Sequence, residues 1–118
     1  MVKINVIDYI ESGFSTADAE KISPIIDEKL MQNDKIQLDF NNVKFYTTLF
    51  FNTALTRLLE NMKIDEYKRR IDIVNLSEVG LETYNHSLEH AIEFYSLSKE
   101  EREARNKIIA EIMNEEGE

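Results

Sequence analysis

Apolar and polar positions alternate with a period of two where Ile36, Leu38 and Phe40 are interleaved with Gln37 and Asp39, which predicts a half-buried strand. Asn41 and Asn42 interrupt it, since asparagine tolerates turn conformations. Val43 to Thr48 then lead into a helix carrying Phe50, Phe51, Ala54, Leu55, Leu58, Leu59 and Met62. The strand, sharp loop and buried helix over 36–62 form the unit around which the rest of the chain is arranged.

Upstream, Val2, Ile4 and Val6 alternate with Lys3 and Asn5, predicting a first strand that runs to about Tyr9. Glu11-Ser12-Gly13 is a turn, and Phe14 ends a short second strand. Ser15 or Thr16 caps a helix whose early Asp18 and Glu20 favour the positive end of its dipole. Ile22, Ile25, Ile26 and Leu30 form its apolar stripe. Pro24 lacks an N–H and clashes with the preceding turn, so the helix either kinks there or restarts with proline at its first position. Downstream, Lys63 to Arg69 is a polar loop or a frayed helical turn, and Ile71, Ile73 and Val74 make another strand. Asn75 to Gly80 turns out of that strand. Leu81, Tyr84, Leu88, Ile92 and Tyr95 then recur every three or four residues, the pattern of an amphipathic helix. Ser98-Lys99-Glu100-Glu101 is a capping box opening a last helix with the stripe Ala104, Ile108, Ile109, Ile112 and Met113.

Strands alternating with helices imply an α/β fold with a small, mixed, mostly parallel sheet of about four strands, the first of them antiparallel if it sits at an edge. The boundaries expected are a domain over 1–97 and a C-terminal helix over 98–118 that packs on it or extends from it. Parallel strands covered on both faces usually read as continuous apolar runs. Here Gln37, Asp39 and Asp72 share the face opposite Ile36, Leu38, Ile71 and Ile73, so one sheet face is thinly covered, by the last helix or by a partner chain.

Composition narrows the function classes. A chain of 118 residues, 42% hydrophobic and 31% charged, supports one cored domain without staples. It contains no cysteine, which excludes a disulfide framework or thiolate chemistry and fits a reducing compartment. The N-terminus lacks the apolar core of a signal peptide and no apolar run approaches membrane-spanning length, so a cytoplasmic location without membrane association is expected. Fourteen Lys and Arg against 23 Asp and Glu give a net charge of −9, which repels phosphate backbones and argues against a nucleic-acid partner. The one basic run, Lys68-Arg69-Arg70, is flanked by Asp65, Glu66 and Asp72 and reads as a solvated loop.

Two stretches carry candidate chemistry. His86-Ser87-Leu88-Glu89-His90 matches the H-x-x-E-H pattern of one zinc-protease class, and its spacing puts both imidazoles and Glu89 on one side of a helix. Leu88 lies on the apolar stripe while His86 and His90 flank it, as solvated residues do, so no metal site is expected there. The chain has no G-x-S-x-G motif and no glycine-rich phosphate loop, having only three glycines. The hydroxyl pair Thr47-Thr48 sits after a strand and at a helix start, where orphan N–H groups and the dipole favour negative charge. It is either a plain N-cap or a phosphorylation or anion site, with Asp39, Asn41, Asn42 and Tyr46 in the neighbouring loop.

The stretch Ile36-Gln37-Leu38-Asp39-Phe40-Asn41-Asn42-Val43-Lys44-Phe45-Tyr46-Thr47-Thr48 resembles the core of STAS-type domains, and most closely a bacterial STAS-like family of unassigned function. Such domains have an apolar strand ending in aspartate, a small turn, and a hydroxyl pair opening a helix. Phe14-Ser15-Thr16-Ala17-Asp18-Ala19 fits the same family. The resemblance implies helices packed mainly on one face of a small sheet, used as a non-enzymatic, cofactor-free regulatory module. STAS domains of the anti-sigma antagonist type bind a kinase-like ATPase and are switched by phosphorylation at this helix start, which points to Thr47 or Thr48. Those antagonists carry an aspartate–serine pair followed by glycine, whereas here Tyr46 precedes the threonines and Leu49 follows them. The expected function is therefore a protein-binding module of a partner-switching kind. A structural homodimer and, less favoured, a small zinc enzyme using His86, Glu89 and His90 are the alternatives.

Overall fold

The computed structural model describes residues 1–96 together with Glu101 and Ala104. Its elements are β1 (Val2–Asn5), β2 (Ser12–Gly13), α1 (Thr16–Gln32), β3 (Ile36–Asp39), β4 (Lys44–Tyr46), α2 (Thr48–Ala54), α3 (Ile64–Arg70), β5 (Ile71–Val74) and α4 (Glu78–Ser96). Short 3-10 turns cover Val6–Asp8 and Thr56–Glu60. The strands β1, β3 and β5 form one sheet in that order, and β2 pairs with β4 in a second. Every described pairing is parallel, so the first strand is an edge strand but not an antiparallel one. It is also shorter than its alternation suggests, because the chain turns at Val6 and buries that side chain instead of extending to Tyr9.

The order β1-β3-β5 explains the uneven sheet. Successive parallel strands added in one direction by right-handed crossovers bring α1 and the α2–α3 segment to the same face, and α1 and α2 pack on each other there. Ile4, Ile36, Leu38 and Ile71 point into that layer and meet Ile22, Ile26, Phe50, Phe51 and Leu55 in one buried cluster. The opposite face carries Lys3, Gln37 and Asp72 in a single register row. Gln37 donates to Asp72 Oδ2 at 2.9 Å there, and the row stays exposed or half-exposed.

Several local outcomes refine the sequence expectations. Ser15 is the cap of α1: its Oγ accepts the Asp18 N–H at 3.1 Å and donates to the Asp18 carboxylate at 2.9 Å. The helix continues through Pro24 as one element and does not restart there. The buried helix expected over 48–62 is split, α2 ending at Ala54 and a 3-10 turn following. A hydroxyl competes with the backbone at the break. Thr56 Oγ1 reaches the Phe51 carbonyl at 3.4 Å and lies 3.0 Å from the Ser87 hydroxyl, which donates to Asn52 Oδ1 at 2.6 Å.

The segment before β5 forms the two-turn α3, and its basic end is engaged with protein. Arg70 donates to the carbonyls of Leu30 (2.7 Å), Asn33 (3.1 Å) and Asp34 (2.8 Å), closing the C-terminus of α1, and Arg69 pairs with Asp34 at 2.8 Å. The buried hydroxyls of Tyr67 and Tyr84 lie 2.7 Å apart and tie α3 to α4. Burial is the first reason that both phenols are held above their usual range. The capping box at 98–101 and the apolar stripe beyond it fall outside the described residues, apart from the helical Glu101 and Ala104. Among the described residues no helix is long and apolar enough to cross a membrane.

Candidate functional site

The carboxyl end of the sheet gathers most of the residues singled out by the sequence. Asp39 ends β3 and is only 7% exposed. Its carboxylate accepts from Asn75 Nδ2 at 3.0 Å and from the Asn41 N–H at 2.9 Å, and pairs with Lys3 Nζ at 3.0 Å. Those contacts, the Asn75 bond foremost, hold its carboxyl below the usual aspartate range in spite of burial. Asn42 and Asn75 take left-handed backbone angles, φ 68° and 61°, which asparagine accommodates more readily than most residues.

Tyr46 follows as the fixed point of the loop. Its hydroxyl donates to the Val43 carbonyl at 2.7 Å, and its ring stacks on Phe51 with centroids 5.7 Å apart and planes 10° from parallel. The ring passes between two glycines that have no room for a side chain: a Cβ on Gly13 would lie 2.8 Å from the ring, and one on Gly80 2.9 Å. This tyrosine is half-buried and packs against the core cluster.

Thr47 and Thr48 separate in role. Thr47 is the N-cap of α2, its Oγ1 accepting the Phe50 N–H at 3.1 Å. The same hydroxyl donates to the Phe14 carbonyl at 2.7 Å, and the Thr47 N–H bonds to the Gly13 carbonyl at 3.0 Å. Its one proton is therefore spent on tying β2 to the start of α2. Thr48 is half-buried and its side chain makes no hydrogen bond to another described residue.

The features that sequence reasoning missed are apolar. Phe45, two residues before the cap, has φ 58° and is 72% exposed. A bulky residue in the left-handed region costs on the order of 1–3 kcal/mol. Phe14, whose carbonyl receives the Thr47 hydroxyl, is 62% exposed, and Leu49, two residues after the cap, is 57% exposed. Three large exposed apolar residues thus neighbour Thr47, Phe45 and Leu49 along the chain and Phe14 through its carbonyl. The signal in the sequence was the aromatic Phe45 sitting out of phase with the Phe40–Val43 core positions, although nothing in the pattern announces a positive φ.

His86, Glu89 and His90 are all exposed on α4. His86 and Glu89 border one depression with Glu78 and Glu82, while His90 borders another with Asn52 and Arg57. Among the described residues no three His, Asp or Glu side chains are placed to hold a metal ion.

A small parallel sheet with helices layered on one side, and an aspartate and hydroxyl pair at the strand ends, defines a STAS-like α/β module. The family model described as "STAS-like domain of unknown function (DUF4325)" matches residues 18–81, just over half the chain, and the chain belongs to that family. The match spans α1 through the start of α4 and so includes Asp39, Tyr46, Thr47 and Thr48. No curated protein and no solved structure matches the chain.

Proposed function

We propose that this chain is a non-enzymatic regulatory module that docks a folded protein partner of the kinase-like ATPase type on the surface formed by Phe14, Phe45 and Leu49. The observation that carries the reading is Phe45: the loop accepts a strained backbone in order to hold a large aromatic ring in solvent. Aromatic residues, phenylalanine among them, are enriched at the cores of protein interfaces. The net charge of −9 disfavours a nucleic-acid partner, which supports a protein partner. Any phosphoryl acceptor in the pair is Thr48, since the Thr47 hydroxyl is already committed as donor and acceptor. The γ-phosphoryl group of the partner's ATP would pass to Thr48 Oγ1, releasing ADP and the hydroxyl proton.

The test is capture from the native host with the wild type and with Phe45→Asp/Leu49→Asp, followed by titration of the purified partner. An ATPase of the kinase type that binds the wild type, and binds the double variant at least tenfold more weakly, is the expected result. Equal binding by a variant with unchanged circular dichroism, or capture of no such ATPase, overturns it. Intact mass from the host, compared with Thr48→Ala and Thr47→Ser, then reports whether a phosphoryl group resides on Thr48.

A further inference from the structure

Between α2, the 3-10 turn that follows it and the second half of α4 lies a depression of about 240 Å³. Thr56 and Ala91, both buried, line it with the half-buried Phe94 and Tyr95, and Asn52, Arg57 and His90 complete it. Its charge sets it apart. The chain has a net charge of −9, and the depressions beside Met62, Glu82 and Ser12 each carry two carboxylates or more. No carboxylate lines this one.

Two of the lining side chains are fixed by bonds that leave donors over. The fully buried Ser87 hydroxyl donates to Asn52 Oδ1 at 2.6 Å, with Thr56 Oγ1 3.0 Å from Ser87 Oγ. That relay holds the amide oxygen, and Asn52 Nδ2 has no acceptor among the described residues. Arg57 donates from Nε to the Thr53 carbonyl at 2.9 Å, and from Nη2 to Asp27 at 2.8 Å and the Ser23 carbonyl at 3.4 Å. Its Nη1 makes no hydrogen bond to a described residue. Asp27 offsets part of the guanidinium charge but does not line the depression. His90 is exposed and adds an imidazole with no partner among the described residues.

An amide, a guanidinium and an imidazole on one concave surface, with no carboxylate competing for them, are the donors that recognise an anion. The two rings and Ala91 favour a flat apolar body attached to that anion. The volume, below the ~300–1,000 Å³ of sites for drug-sized molecules, limits the body to a small one. We propose that this depression binds a small organic carboxylate, its charged end received by Asn52, Arg57 and His90 and its flat body lying against Phe94 and Tyr95. The site shares no lining residue with the Phe14–Phe45–Leu49 surface, so it stands or falls separately from the docking function.

The probe is benzoate, titrated into the nitrogen-15-labelled full-length chain at constant ionic strength and followed by amide chemical shifts, with neutral benzamide and inorganic phosphate run alongside. Saturable shifts at Asn52, Arg57, Ala91 and Phe94 are expected with benzoate and not with benzamide. Asn52→Asp keeps an oxygen for the Ser87 hydroxyl while exchanging the amide donor for negative charge. His90→Ala alters an exposed residue and leaves the fold alone. Each variant, with circular dichroism unchanged, should bind benzoate about fivefold more weakly or worse. No saturable shift at tens of millimolar benzoate overturns the proposal. So does equal binding of benzamide, which would make the site indifferent to charge, or tighter binding of phosphate than of benzoate, which would make the apolar wall irrelevant. Undiminished affinity in either folded variant would place benzoate elsewhere and overturns it as well.

Discussion

Replacing Gly80 by alanine tests the packing that fixes the loop. In an open helix the change would raise stability by up to about 1 kcal/mol through helix propensity. Here the new methyl group would sit 2.9 Å from two carbons of the Tyr46 ring and 3.0 Å from Leu76 Cδ2, against an optimum of about 3.5–4.0 Å. The ring cannot retreat, because Gly13 lies against it and its hydroxyl is held by the Val43 carbonyl. Overpacking of this kind costs about 1–3 kcal/mol. The propensity gain offsets part of it, leaving a net loss of about 1–2 kcal/mol. Urea unfolding at unchanged m reads this directly as a lower midpoint. In a Tyr46→Leu background the ring is gone and only Leu76 Cδ2 still crowds the new methyl group, so the same substitution is expected to cost about 1 kcal/mol less and the double-mutant cycle reads that coupling. A Gly80→Ala variant as stable as the wild type in the Tyr46 background would refute the argument that Gly13 and Gly80 clamp the ring.

Three further outcomes follow from named contacts. Asp39→Asn removes the charge to which Asn75, the Asn41 N–H and Lys3 are directed, costing about 1–3 kcal/mol at neutral pH. Since the folded carboxyl is depressed below the ordinary value, its contribution is full above that value and disappears as pH falls through the folded one; acid titrations of wild type and variant should therefore converge below pH ~4. Arg70→Ala uncaps three carbonyls at the end of α1 and should lower stability by about 1.5–3 kcal/mol. Arg70→Lys should restore less than half, because a single ammonium cannot span the fork, and full rescue would contradict this reading. Thr47→Ala loses a cap worth about 1 kcal/mol, whereas Thr48→Ala should fall within about 0.5 kcal/mol of wild type in thermal unfolding; equal losses would show that the two hydroxyls do not differ in role.

The sheet was legible because its strands obey one period: Ile36 and Leu38, Ile71 and Ile73 set the buried face, and the polar row Lys3, Gln37, Asp72 appears where the alternation puts it. The α2 break at Leu55 was not legible, since it depends on Thr56 meeting Ser87, a contact 31 residues away that no local window contains. The same applies to Arg70, whose partners lie 36 to 40 residues upstream and turn an apparent solvated basic run into a helix cap. At the site, Thr47 as a cap could be read from position alone. Phe45 could not, because exposure of an aromatic follows from a backbone angle set by the Gly13–Tyr46 pairing.

The Asp39 carboxylate also bears on how the sheet assembles. Its three partners come from β1 (Lys3), from its own following turn (Asn41), and from the residue just past β5 (Asn75). A chain that has joined only two of the strands holds a partly compensated charge in a place being emptied of water. A strand that docks one residue out of step brings the wrong side chain to it. Satisfying that carboxylate thus favours the alignment in which all three strands pair in step and leaves slipped alternatives with a charge they cannot answer.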